Sequence, residues 1–484
     1  MNSSNNNKNG VSRRDFLVQS LVTAAGLAAG ARLAGASPAK ASMSASAPAI
    51  GGNGAKPNIL FITLDQISCD SIHAYGCKGV NTPNLDFLIQ NGTSFTQSYS
   101  ANPVCCPARA SWFTGHYSPE TGIMNNSYVM AKDWPDIGQW MKPRGYNVVY
   151  TGKWHVPGRP VQNSFRVLSS DPKNTASTGD IVTTRSVEGF LQNYSDSKPF
   201  FLSAGLLNPH DICSFSLTNS FYKGHMPYEQ LADQLPDLPG NFHVNMTEPK
   251  EIVARRKKYA NGGEGQAGWK DNYWQYYLWA YHRYIEMVDG QVGMILSALE
   301  NSKFANNTLV ILSGDHGDGH TCHQLTLKSF LYDEAARVPF ILYWPGHVRA
   351  GVIDNDHLVS GVDVVPTVCD YAGMEAPSKL AGYSLRPLAE GSATDWREFV
   401  LSHTDLKGKM LRTNQYKYIT YEGDPAVQLF DMKADPLEMA NLAEQSKYAD
   451  LVKEHDKTLT DYESHYERAT LKLAKGATSK NVEE

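Results

Sequence analysis

Apolar residues recur along this chain with two periods. Residues 58–64 (Asn-Ile-Leu-Phe-Ile-Thr-Leu) are apolar almost without interruption over the length of one strand. That is the pattern of a strand buried on both faces. Shorter runs of the same kind lie at 147–150, 200–204, 309–312 and 340–343. Between them the spacing lengthens to three and four. Residues 84–90 read as one helix and 271–299 as the longest, with Trp274, Tyr277, Leu278, Tyr281, Ile285, Val288, Val292, Ile295 and Leu299 on one stripe. Such a stripe is core packing rather than a binding surface. Strands alternating with helices predict an α/β fold, a large and mostly parallel sheet flanked by helices. After about residue 391 the texture changes. Runs at 399–402, 409–412, 417–421 and 427–431 predict short antiparallel strands, and 445–466 a helix. A smaller C-terminal α+β subdomain carrying an antiparallel sheet is therefore expected over 391–484, after a large α/β domain over 56–390. Residues 214–268 are polar and irregular and read as a surface insertion. Its basic run Arg255-Arg256-Lys257-Lys258 reads as a solvated face, the other reading being a guide for an anionic polymer.

The 484 residues allow one large domain with a smaller companion. The net charge of −5 argues against a nucleic-acid binder without excluding an anionic substrate, because a few cations in one pocket can dominate the local field. The N-terminus changes the picture more. Arg13 and Arg14 precede a mildly apolar Ala/Gly-rich run, and Ala39-Lys40-Ala41 offers a small-x-small cleavage site. This pattern resembles a twin-arginine signal over 1–41, followed by a Ser/Ala/Gly/Pro-rich linker over 42–55. Arg32 and several glycines make the run a poor permanent membrane span. The expected location is periplasmic or secreted, reached through the twin-arginine export machinery. Seven cysteines are present, an odd number without a C-x-x-C pair. This argues against a disulfide framework and a thiolate zinc site, and fits one cysteine with a separate role.

Strand ends in α/β sheets are where chemistry gathers. Asp65 and Gln66 follow the first strand, and Asp315 and His316 follow the strand at 309–312. Together they offer mostly oxygen ligands for one hard divalent cation. The run 103–115 contains Cys105 two residues before Pro107 and four before Arg109. It reads as a nucleophile at the start of a helix, where helix amides and Arg109 stabilise nearby negative charge.

These thirteen residues match, at every position, the first signature of the type I, formylglycine-dependent sulfatases of the alkaline phosphatase superfamily, which the chain resembles. The second signature resembles residues 145–155, with Val148 and Thr151 as departures and its Gly-Lys-aromatic-His core intact. Asp315-His316-Gly317-Asp318, His323, Lys328, Asn208-Pro209-His210-Asp211 and residues 428–442 extend the likeness over most of the chain. The resemblance implies that a maturation enzyme oxidises Cys105 to formylglycine. It implies that Asp65, Gln66, Asp315 and His316 hold a cation with residue 105 completing the shell, calcium being favoured and magnesium possible. Arg109 and Lys153 would stabilise the nucleophile, and Lys153 and Lys328 would bind sulfate. His210 would protonate the leaving oxygen, alone or with Lys328, and His155 would accept the final proton. His116, Arg159 and Asp211 are pocket-lining or surface residues. Asp65-Gln66 departs from the double aspartate of many members and is shared with some phosphonate monoester hydrolases. Three expectations follow: a sulfatase acting on a sulfated carbohydrate, a phosphonate or phosphate ester hydrolase, or a glycan-binding protein whose Cys105 stays unmodified.

Overall fold

The computed structural model describes residues 56–131, 133–169, 176–217, 229–258, 269–392, 395–405 and 407–473. The expected signal, the linker and residues 474–484 lie outside the described residues, as do parts of the 214–268 insertion. The strands in chain order are β1 (Asn58–Asp65), β2 (Thr93–Phe95), β3 (Ser98–Tyr99), β4 (Asn147–Gly152), β5 (Arg166–Ser169), β6 (Phe200–Pro209), β7 (Thr308–Gly314), β8 (Phe340–Tyr343), β9 (Val352–Asp354), β10 (Val359–Ser360), β11 (Phe399–Thr404), β12 (Gly408–Thr413), β13 (Tyr416–Tyr421) and β14 (Gln428–Asp431). The helices of eight or more residues are α1 (Pro83–Asn91), α2 (Cys105–Thr114), α3 (Ala176–Asn193), α4 (Lys250–Lys258), α5 (Asp271–Glu300), α6 (Val364–Tyr371) and α7 (Ala449–Glu463).

The main sheet has eight strands in the order β5-β4-β6-β1-β7-β8-β2-β9. The run from β5 to β7 is parallel, β8 is antiparallel to both neighbours, and β9 is parallel to β2. Ile62 lies opposite Ala204 on one side and Leu312 on the other. β1 divides its side chains between two cores, as a strand must. Leu60, Ile62 and Leu64 join the cluster beneath α1, α3 and α5, and Ile59 and Phe61 join the one beneath α2 and α6. The three- and four-residue strands β2, β5 and β9 carry no long apolar run, so hydrophobic pattern did not mark them.

Strands β11 to β14 form a separate antiparallel meander. One face, with Val400, Met410, Ile419 and Phe430, packs on Phe330, Leu331 and Tyr332 of the large domain. The other, with Leu401, Leu411, Tyr418 and Leu429, receives Leu459 of α7. Helix α7 is shorter than the expected 445–466. Ser446–Tyr448 form a separate tight turn, Tyr448 leaves helical geometry, and the helix stops at Glu463.

The basic run is not a solvated face. It belongs to α4, which Ile252 seats in the core at 1% exposure. That burial turns Arg255 and Arg256 inward and leaves Lys257 exposed.

Candidate active site

Four adjacent parallel strands end at one place. β1 delivers Asp65, β4 delivers Lys153, β6 delivers His210 and β7 delivers Asp315. The turn after β4 needs Gly152, whose φ is 91° and where an added Cβ would lie 2.1 Å from the Gly205 carbonyl. At the end of β6, Asp180 of α3 accepts the backbone N–H groups of Leu207 (2.6 Å) and Asn208 (3.0 Å). Burial raises the Asp180 carboxyl to about 7 even though both bonds favour its charged form.

Cys105 is the first residue of α2, and Gly115 closes that helix in the left-handed conformation. The Cys105 Sγ lies 3.0 Å from Lys328 Nζ, 3.2 Å from His316 Nε2 and 3.7 Å from Asp65 Oδ1. His155 and His210 both interact with the same side chain. Burial opposes charge on this thiol, but Lys153, Lys328 and His316 outweigh it and hold Cys105 well below the usual thiol range. The neighbouring Cys106 is pushed the other way by its burial and by Cys105. None of the seven cysteines, all among the described residues, is in a disulfide.

Arg109, fully buried one turn into α2, ties the metal-side residues together. Its Nη2 donates to Asp65 Oδ2 (2.9 Å), its Nε to Asp315 Oδ2 (3.0 Å) and its Nη1 to the Lys153 carbonyl (2.9 Å). Lys153 Nζ adds a second cation 2.7 Å from Asp65 Oδ2. Burial and Cys105 push the Asp65 carboxyl up, yet Lys153, His210 and Arg109 together hold it well below the usual range. Burial, Lys328 and Lys153 lower His210 to about 4 against the pull of Asp65.

Ligand atoms of Asp65, Cys105, Asp315 and His316 all lie within 4.8 Å of one another, and all four residues are buried. His316 Nδ1 is 2.8 Å from the Gly317 carbonyl, to which it donates, and this turns Nε2 inward as the atom that would bind a cation. Two carboxylates and an imidazole nitrogen fit a hard divalent cation once residue 105 presents oxygen in place of sulfur. Gln66 closes the same wall with φ of 72°. Its backbone N–H donates to Asp315 (3.0 Å), its Nε2 to Asp318 (2.7 Å), and its Oε1 accepts from Lys328 (2.9 Å) and Cys213 (3.2 Å).

The structure thus brings Asp65, Gln66, Cys105, Arg109, Lys153, His155, His210, Asp315, His316 and Lys328 around one point. It does not bring Arg159 there: that guanidinium is spent on Asp133, Asp136, Gln139 and the Trp134 carbonyl. His116 is buried and stacked on Trp134 at 3.9 Å. Sequence pattern gave no site role to the residues that hold the wall from behind. Asp318 also accepts from Tyr277 (2.9 Å) and the Leu327 N–H (3.1 Å), and Tyr281 donates to the Gln66 carbonyl (2.8 Å). Both tyrosines sit on the stripe of α5. Their rings are core, as expected, while their hydroxyls reach the site; two phenols one helical turn apart on an apolar stripe were the available signal.

Known proteins carry the same plan. A family model described as Sulfatase matches residues 57–374, and one described as N-sulphoglucosamine sulphohydrolase, C-terminal, matches residues 321–465. The chain is 31% identical over 442 residues to a Delta 4,5-hexuronate-2-O-sulfatase of Bacteroides thetaiotaomicron, covering 84% of this chain and 89% of that protein. It is 27% identical over 489 residues to an N-acetylglucosamine-6-O-sulfatase of the same species, covering 85% and 87%. The solved structure of a 2-O GAG sulfatase superposes with a TM-score of 0.75 at 30% identity, covering 84% of this chain and 92% of that one. With a family match over most of its length and a related sulfatase along nearly all of it, this chain belongs to the sulfatase family and is a sulfuric ester hydrolase.

Proposed function

We propose that the protein removes sulfate esters from saccharides of glycosaminoglycan type, using a formylglycine made from Cys105. The substrate class is supported by the two bacterial relatives, a Delta 4,5-hexuronate-2-O-sulfatase and an N-acetylglucosamine-6-O-sulfatase. The observation that carries the chemistry is the surround of Cys105: a cation, an imidazole and a carboxylate converge on one buried side chain at a helix start.

Asp65, Gln66, Asp315 and His316 would hold the divalent ion, Gln66 sharing its oxygen with Lys328. Calcium suits the oxygen-rich donor set. Such an ion supplies charge withdrawal from the sulfate and from the residue 105 oxygen. The remaining work falls to side chains. Arg109 and Lys153 hold the hydrated aldehyde and the developing charge, and Lys153 and Lys328 bind sulfate oxygens. One hydroxyl of the hydrate attacks sulfur as its proton passes to the neighbouring Asp315 carboxylate, the bond from sulfur to the alcohol oxygen breaks, and His210, protonated once the sulfate anion stands beside it, gives its proton to the departing alcohol, with Lys328 beside it. The sulfuryl group is then on residue 105. His155 takes the proton from the second hydroxyl, the C–O bond breaks, sulfate leaves and the aldehyde returns. The paired Arg13-Arg14 and the run behind them support export through the twin-arginine route to the periplasm or beyond.

Turnover of a Δ4,5-hexuronate 2-O-sulfated disaccharide, with release of inorganic sulfate, tests the substrate class. Silence on this disaccharide and on 6-O-sulfated N-acetylglucosamine would defeat it. Mass spectrometry of the tryptic peptide containing Cys105 tests the nucleophile. The expected product has an aldehyde in place of the thiol-bearing carbon, and an unmodified thiol in active enzyme would defeat the mechanism.

A further inference from the structure

Lys328 enters the site on a backbone that few sequences adopt. His320, Thr321, His323, Gln324, Leu327 and Ser329 all have positive φ, from 26° to 78°, and none is glycine. Each such residue costs about 1 kcal/mol or more, so the loop keeps its shape only where surrounding groups over-determine it. Some ties come from nearby. Gly319 N–H donates to the Leu327 carbonyl (2.7 Å), and Ser329 N–H to the Pro103 carbonyl (3.1 Å).

Two more ties come from α4, in the insertion. Arg255 Nη1 donates to the carbonyl of Lys328 itself at 3.0 Å. Arg256 Nε donates to the carbonyl of His323 at 3.0 Å. Each guanidinium is anchored at its other end. Arg255 Nη2 lies 3.0 Å from Asp405 in the turn between β11 and β12, and Arg256 Nη2 lies 2.7 Å from Glu248. Glu248 in turn accepts from Tyr332 (2.9 Å), whose ring stacks on His323 at 4.2 Å. The helix itself rests on the C-terminal sheet. Ile252 packs with Met410, Ile419 and Tyr421, and Lys250 N–H donates to Asp424 at 2.6 Å. A planar fork bonds a carbonyl and a carboxylate together, which a lysine cannot do.

We infer that Arg255 and Arg256 are positioning residues for sulfate-ester hydrolysis, clamping the Lys328 and His323 carbonyls so that Lys328 reaches residue 105 and Gln66. The C-terminal sheet is the base against which the clamp is set. The inference rests on Lys328 being a sulfate-binding cation.

Turnover of an aryl sulfate by the full mature chain, normalised to formylglycine content, is compared for wild type, Arg255→Met, Lys328→Met and the double variant. Arg255→Met is expected to lower kcat about tenfold or more with matched thermal stability, and Arg255→Lys, which cannot bond the carbonyl and the carboxylate together, to recover less than half of that loss. In the Lys328→Met background the same change should cost less than about twofold, because its effect runs through Lys328. Affinity for inorganic sulfate, followed by calorimetry, should fall in parallel in Arg255→Met and needs no turnover. Equal losses in both backgrounds, or wild-type kcat and sulfate affinity in Arg255→Met, would overturn the clamp alone. Unchanged turnover and unchanged sulfate affinity in Lys328→Met would overturn the role of Lys328 as well.

Discussion

The site has a strand-end wall and a Lys328 wall, held in different ways. Asp65, Lys153, His210 and Asp315 issue from β1, β4, β6 and β7, whose mutual register is set by backbone pairing, with one shift between β1 and β6 at Thr63 and Asp65, and by two hydrophobic cores. Lys328 rides instead on a run of left-handed residues pinned by side chains from α4 and by Asp318. The first wall is positioned by the fold. The second depends on a few polar bonds that single substitutions remove without disturbing the sheet.

The hardest test of the strand-end wall is Cys105→Ala. Loss of about a thousandfold or more in kcat on a sulfate ester is expected, with unfolding unchanged; retained activity would remove residue 105 from the chemistry. Arg109→Leu should come next. It leaves the buried Asp65 and Asp315 carboxylates without their shared cation, so chelator-treated protein should lose about 3–5 kcal/mol in denaturant unfolding. A loss below about 1 kcal/mol would mean that Lys153 and local water compensate.

Tyr281→Phe probes the support of Gln66 from α5. It removes the donor to the Gln66 carbonyl and the acceptor of the Ser68 N–H, and about 1–3 kcal/mol of stability should go with it. Activity should fall less than in Arg255→Met if the strand-end wall is the stiffer one; the reverse order, read in parallel kcat assays, would invert the comparison.

The smallest effect lies far from the site. Burial raises the Glu463 carboxyl, but His403 and Lys409 outweigh it and bring it from 4.5 to about 2. A depressed carboxylate contributes stability above its unfolded value, and that contribution drains away as pH falls through 4.5 towards 2. Glu463→Gln should therefore flatten the acid limb of the stability profile in that window and leave neutral-pH turnover alone. An unchanged slope between those pH values would show that the His403–Glu463 pair is not a stabilising element.

The legibility of the molecule follows the same division. The strand at 58–64, the α/β alternation, the C-terminal meander, Cys105 and the nine residues that meet around it could all be read from pattern and motif, because strand burial and helix starts are local properties of sequence. Arg255 and Arg256 were read as a solvated patch, and Tyr277 and Tyr281 as core. Their partners are backbone carbonyls or loop residues far along the chain: 73 residues for Arg255, 67 for Arg256 and 215 for Tyr281. A backbone carbonyl carries no residue identity, so no sequence pattern marks the bond that reaches it. By itself the sequence determined which elements form, which face of each is apolar and which side chains carry charge at strand ends. Only the tertiary structure decided that a basic helix in the insertion turns inward to grip the Lys328 loop. The physical reason is that buried guanidinium groups are tolerable only where carbonyls and carboxylates already stand, and folding alone assembles them.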